Sequence, residues 1–280
     1  MGTRITVIAT MRRKSLLAVP TVCGAVLACL PIFNCWHRSA PASSGDEPAK
    51  QPVVVELFTS EGCSDCPPAD TLLKSLSEKQ PLKGIEILAL EEHVDYWNST
   101  KWVDPFSSAD FSLRQQQYAV TLHAGDVYTP QMVVDGSSQF VGSRTREATD
   151  QIRWAAARNR GRLLLTAAPG QKEHTPSFEL RLGPSSAALN SSPLDLWIAV
   201  TEKGLSSKVS GGENSGETLQ HAPVVRLLHK QQSVTLPLAN PIKFSVTLRK
   251  TWTPANLALV AFLADPKSHE IQAAGYAAIP

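Results

Sequence analysis

Cys63-Ser64-Asp65-Cys66 constrains this chain more than any other feature. The pair follows an apolar run, Val53-Val54-Val55-Glu56-Leu57-Phe58, that reads as a buried strand. It precedes Pro67-Pro68, which suits the first turn of a helix, where an N–H is not needed. Ala69, Leu72, Leu73 and Leu76 then recur at helical spacing until Pro81 and Gly84. Both thiols therefore sit on a strand-to-helix turn. The helix N-terminus offers unpaired N–H groups and positive potential, which favour a thiolate on Cys63. Cys66, one turn along, is placed to resolve a mixed disulfide. Asp65 between them opposes thiolate formation, so the expected disulfide is stable and fairly reducing.

Two other readings of the pair stay open. A passive disulfide gains little here, because a two-residue loop removes little unfolded-state entropy. A zinc site needs about four ligands. His93, His123, His221 and His229 show no ligand-like spacing, so no metal is expected.

The N-terminus reads as an export signal. Arg12-Arg13-Lys14 precedes an apolar stretch from Leu16 to Phe33, interrupted by Pro20 and Pro31, and Ala40-Pro41-Ala42 offers a cleavage site. A retained membrane anchor over residues 1–42 and a lipoprotein signal at Val26-Leu27-Ala28-Cys29 are the alternatives. Of five cysteines, Cys23, Cys29 and Cys35 lie in or just after this stretch, which leaves only Cys63 and Cys66 in the body. That is no disulfide scaffold. The formal charge of +2, spread along the chain, points to no nucleic-acid partner.

Residues 43–52 read as a linker. Residues 53–160 carry the pattern β-α-β-α-β-β-α, with helices over 109–122 and 144–158 and a hairpin around Gly136. Residues 161–280 show short strand-like runs separated by turn residues, an all-β, sandwich-like pattern.

The Cys-x-x-Cys turn, together with Thr129-Pro130 before Met132-Val133-Val134, resembles the thioredoxin superfamily. The resemblance implies an α/β thioredoxin-like domain followed by a C-terminal all-β domain. It implies that Pro130 is a cis-proline beside the thiols and that Thr129 and Pro130 line the substrate site. It also implies a buried acid near the second cysteine, for which Glu56 is the candidate; a solvated edge position is the other reading of Glu56. The longer segments Glu56 to Asp70, His93-Val94-Asp95-Tyr96-Trp97, Trp102-Val103-Asp104-Pro105-Phe106, Arg114 to Tyr118 and Gly212 to His221 resemble a bacterial family of secreted proteins of unknown function, DUF1223. His93, Asp95, Tyr96 and Trp97 follow the second strand, at the sheet end that carries Cys63, and are candidates to line the site. Arg114 is a candidate partner for Asp95, Asp104 or a substrate carboxylate.

The resulting expectation is an exported, periplasmic or extracellular thiol–disulfide oxidoreductase. Its catalytic residues are Cys63, Cys66 and Glu56, its cofactor is none beyond the disulfide, and its substrate is a protein or small thiol or disulfide. The alternative is a non-catalytic binding protein with a structural disulfide.

Overall fold

The computed structural model describes residues 49–158, 160–170, 172, 174–184, 189 and 193–280. The expected export or anchor segment over residues 1–42, with Cys23, Cys29 and Cys35, lies outside these residues, as does most of the expected linker. The first half runs β1 (Gln51–Thr59), α1 (Pro67–Lys79), β2 (Ile85–His93), α2 (Ala109–Thr121), β3 (Gln131–Val134), β4 (Ser138–Val141) and α3 (Thr145–Ala157). This is the element order read from the sequence. The first strand begins at Gln51, inside the expected linker.

β1 is buried at every position after Gln51 because both of its faces are covered. Val53, Val55 and Leu57 pack on Ala69, Leu73 and Leu76 of α1 and on Ala148, Ile152 and Ala155 of α3. Val54, on the opposite face, packs with Phe111 of α2. β1 pairs parallel with β2, Val55 opposite Ala89, and antiparallel with β3. The βαβ unit thus delivers Cys63 to the carboxyl end of β1, beside the end of β2.

The second half adds β5 (Gly161–Ala167), β6 (Ser177–Leu182), β7 (Leu194–Glu202), β8 (Ser206–Lys208), β9 (Thr218–Gln220), β10 (Val224–Val234), β11 (Ile242–Ser245), β12 (Leu257–Ala264) and β13 (Ile271–Ala278). Here the expectation of a thioredoxin-like domain followed by a separate all-β domain is overturned. Among the described residues, eleven strands form one mixed sheet in the order β11-β6-β5-β13-β12-β7-β10-β2-β1-β3-β4. The two halves join where β10 runs parallel to β2, with Val224 opposite Glu91. They also share a core: Val54, Leu88 and Leu90 pack with Ala199, Val260 and Phe262.

The physical reason is the edge of β2. Left as the last strand of the first half, β2 would expose unpaired backbone along a largely apolar strand, which invites aggregation. β10 meets that edge at its carboxyl end, where the Glu91 N–H donates to the Pro223 carbonyl and Val224 stands opposite Glu91. The apolar face of the second half, with Leu196, Ile198, Leu259, Leu263 and Trp252, forms its own cluster. β8 and β9 form a separate two-stranded ribbon that carries residues 209–217 as its loop. No helix among the described residues is long and apolar enough to cross a membrane.

Candidate functional site

Cys63 and Cys66 form a disulfide. Cys66 is the residue before α1, Pro67 opens the helix, and the Ala69 and Asp70 N–H groups donate to the Cys66 carbonyl. The pair is closed off from solvent, with 1% of Cys63 and none of Cys66 exposed. The β8–β9 loop contributes to this enclosure. Asn214 Nδ2 donates to the carbonyls of both Glu61 and Cys63, each at 2.9 Å. Ser64 donates to Glu213 Oε2 through its N–H at 3.0 Å and its hydroxyl at 2.7 Å. These two bonds hold the Glu213 carboxyl below its ordinary pKa. Gly211 allows the loop to approach, since a Cβ there would lie 2.0 Å from the Lys101 carbonyl oxygen.

Behind the turn lies a buried chain of alternating carboxylates and imidazoles. His93 Nδ1 lies 2.7 Å from Asp104 Oδ2, and His93 Nε2 lies 3.1 Å from Glu91 Oε1. His221 Nδ1 lies 3.0 Å from the same Glu91 oxygen, and His221 Nε2 lies 3.1 Å from Glu61 Oε1. Trp102 Nε1 donates to Glu61 Oε2 at 3.1 Å, and Asp104 Oδ2 also accepts the Glu61 N–H at 2.8 Å. Phe106 packs edge-on against both imidazoles. Burial disfavours the charged form of His221, but its bonds to Glu61 and Glu91 outweigh that and raise its pKa to about 9. His93 is raised for the parallel reason, with Asp104 and then Glu91 overcoming burial. Asp70, near Cys66 on α1, is pushed up to about 8 by burial and then by the Glu91 charge; its hydrogen bond from Thr59 only partly offsets this.

Glu56 occupies the face of β1 opposite α1. It accepts from Arg114 Nε at 2.5 Å and from the Tyr118 hydroxyl at 2.6 Å. It is therefore neither a solvated edge residue nor an unpartnered acid. Arg114 also lies 3.9 Å from Glu92 and stacks near Trp197 and Phe262. It pairs with neither Asp95 nor Asp104. Burial drives the Glu92 carboxyl well above its ordinary pKa, reinforced by the Glu56 charge.

The remaining candidates cluster around Trp97. Its Nε1 donates to Thr129 Oγ1 at 2.7 Å, and its Cβ and carbonyl would lie 3.3 Å from a side chain at Gly62. Trp97 therefore bridges the cysteine turn and the Thr129–Pro130 peptide, which is cis. Tyr96, 44% exposed, donates to Gln115 Oε1 at 3.0 Å. Burial is the main cause of its raised pKa, about 12. Asp95 is turned to Ser112, accepting its hydroxyl at 2.5 Å. His93 is buried, between Asp104 and Glu91.

Sequence reasoning did not single out Glu91, Glu61, Asp104, Glu213 or Asn214 as a site. Glu91 and His93 stand two apart on a strand, so their shared face was legible. The Gly-rich run Gly211 to Gly216 reads as a hairpin loop that could pack on the first half, but nothing local aims His221 at Glu91 or Asn214 at Cys63.

The fold is shared with a crystal structure of protein AGR_C_4864 from Agrobacterium tumefaciens: TM-score 0.61, 21% identity, covering 81% of this chain and 94% of that one. It is also similar to HBP35 of Porphyromonas gingivalis: TM-score 0.55, 17% identity, covering 82% and 76%. No curated protein matches the chain significantly. Residues 54–264 match the family described as protein of unknown function (DUF1223), and the chain belongs to that family.

Proposed function

We propose that the protein is an exported thiol–disulfide oxidoreductase working through Cys63 and Cys66. The observation that carries this reading is the Cys63–Cys66 disulfide, closed across two residues immediately before α1, at the positive end of the helix dipole. The basic and apolar N-terminal stretch supports export.

In the reducing direction, the Cys63 thiolate attacks one sulfur of a partner disulfide and the other partner sulfur leaves as a thiolate. Cys66, as thiolate, then attacks Cys63, its proton passing to solvent. The partner's second sulfur departs, the Cys63–Cys66 bond forms, and two electrons have moved to the partner. The reverse sequence oxidises a partner dithiol. Trp97, which lies against Gly62 and donates to Thr129, is a proposed substrate contact together with Thr129 and Pro130; Asp95 and Tyr96 immediately precede Trp97 in the chain. Both sulfurs are enclosed, so exchange requires local opening, and the loop over residues 209–217, bonded to the cysteine turn through Asn214 and Glu213, is the proposed moving element.

A second reading rests on that same enclosure: a structural disulfide in a binding protein. The redox midpoint separates the two. With Cys23, Cys29 and Cys35 replaced by serine, a reversible midpoint between about −120 and −270 mV supports exchange, and a pair that stays oxidised below about −300 mV supports the structural reading. A Cys66→Ser variant of an exchange protein traps a mixed disulfide through Cys63. A Cys63→Ser variant does not.

A further inference from the structure

The buried cluster of Glu91, His93 and His221 has no step in the exchange proposed above. Glu91 Oε1 stands 3.1 Å from His93 Nε2 and 3.0 Å from His221 Nδ1, and one donor atom from each residue falls within 4.8 Å of the others. Each imidazole gives its other nitrogen to a separate carboxylate, His93 to Asp104 and His221 to Glu61. Metal-bound histidines are held in this way: the outer carboxylate takes one ring N–H, and the cation displaces the proton from the inner nitrogen, which here is shared with Glu91. Glu91 Oε2 is buried and has no hydrogen-bond partner. The Glu91 carboxylate thus has a second donor atom free.

Glu61, Glu91 and Asp104, all at most 2% exposed, converge on two imidazoles. Such carboxylates need positive charge beside them, from a proton on each imidazole or from one divalent cation that replaces both protons.

We propose that Glu91, His93 and His221 form a buried site for a first-row divalent cation of the zinc class, with Asp104 and Glu61 as the outer carboxylates. Two imidazole nitrogens and a carboxylate suit zinc, whereas magnesium and calcium favour all-oxygen shells. The ion joins the end of β2 to His221, between β9 and β10, and through Glu61 steadies the cysteine turn. With both Glu91 oxygens supplied, Oε2 being otherwise unbonded, four donors close the site, and its role is structural.

The test uses the untagged full chain with Cys23, Cys29 and Cys35 replaced by serine and the Cys63–Cys66 disulfide intact, so that no thiolate competes. After stripping with a chelator, Zn2+ is titrated calorimetrically and Co2+ by absorption spectroscopy. The expected result is one equivalent of Zn2+ and a Co2+ spectrum without thiolate charge-transfer bands. Asp104→Asn should weaken Zn2+ binding by about 10–100-fold, and His221→Gln or Glu91→Gln by more. A readout independent of folding of the variants is the unmutated Co2+ form, which should show two paramagnetically shifted imidazole N–H resonances. No saturable Zn2+ binding by the stripped protein, Zn2+ binding unchanged in folded His221→Gln and Glu91→Gln, or no shifted imidazole resonances would each overturn the site.

Discussion

Replacing Asn214 with alanine tests whether the loop over residues 209–217 gates the disulfide. The Asn214 amide donates to the Glu61 and Cys63 carbonyls, both at 2.9 Å, from a nearly buried position. Each hydrogen bond contributes about 0.5–1.5 kcal/mol net. Losing both therefore weakens loop closure by about 1–3 kcal/mol, or about 5- to 150-fold in the closed-to-open ratio. If small reductants reach Cys63 only through the open form, and opening is fast, the rate of reduction rises by that same factor. The assay is pseudo-first-order reduction by dithiothreitol, quenched by alkylation and read by mass. Urea unfolding of the same variant controls for global loss of stability, which should be smaller than the kinetic effect. A reduction rate within twofold of the wild type would refute the gate and place the path to sulfur elsewhere.

Gly211→Ala should accelerate reduction similarly without removing a polar group, because its Cβ would collide with the Lys101 carbonyl at 2.0 Å; the same alkylation assay reads it. Arg114→Met should destabilise the fold by about 3–5 kcal/mol, since it leaves Glu56 buried without its cation. Urea unfolding should show that Glu56→Gln added to Arg114→Met restores part of the loss. Burial raises the Asp135 carboxyl to about 7, only partly offset by the Val54 N–H bonded to it. Its folded form therefore keeps a proton that the unfolded chain has released, and stability falls as pH rises toward 7 and levels above it. Asp135→Asn removes this loss, so its stability relative to wild type should improve by about 2–3 kcal/mol between pH 5 and pH 8 in urea unfolding. An equal difference at both pH values would assign the raised pKa no role in stability.

Glu56 illustrates how far a residue type can be read. An acid inside an apolar run signals an unusual environment, and Glu56 is indeed fully buried. Its partners, Arg114 and Tyr118, sit on the buried face of α2. Their helical spacing was visible, but nothing local aimed them at β1. His93 is similar. Its place at the end of β2 followed from the strand pattern, while its inward orientation follows from Asp104 and Glu91 on either side.

By itself the sequence determined the elements and the position of the cysteines. Apolar alternation, helical spacing and turn residues act over a few positions, so β1, α1, β2, α2, the β3–β4 hairpin and α3 were legible, and the thiols fell at a strand-to-helix turn. The tertiary structure decided what those elements join. The pairing of β10 with β2 depends on which exposed strand edge finds another, a choice with no short-range signature. The convergence of Glu61, Glu91 and His221, and the closure of Asn214 over Cys63, exist only because that pairing brings residues from opposite halves of the chain to the same end of one sheet.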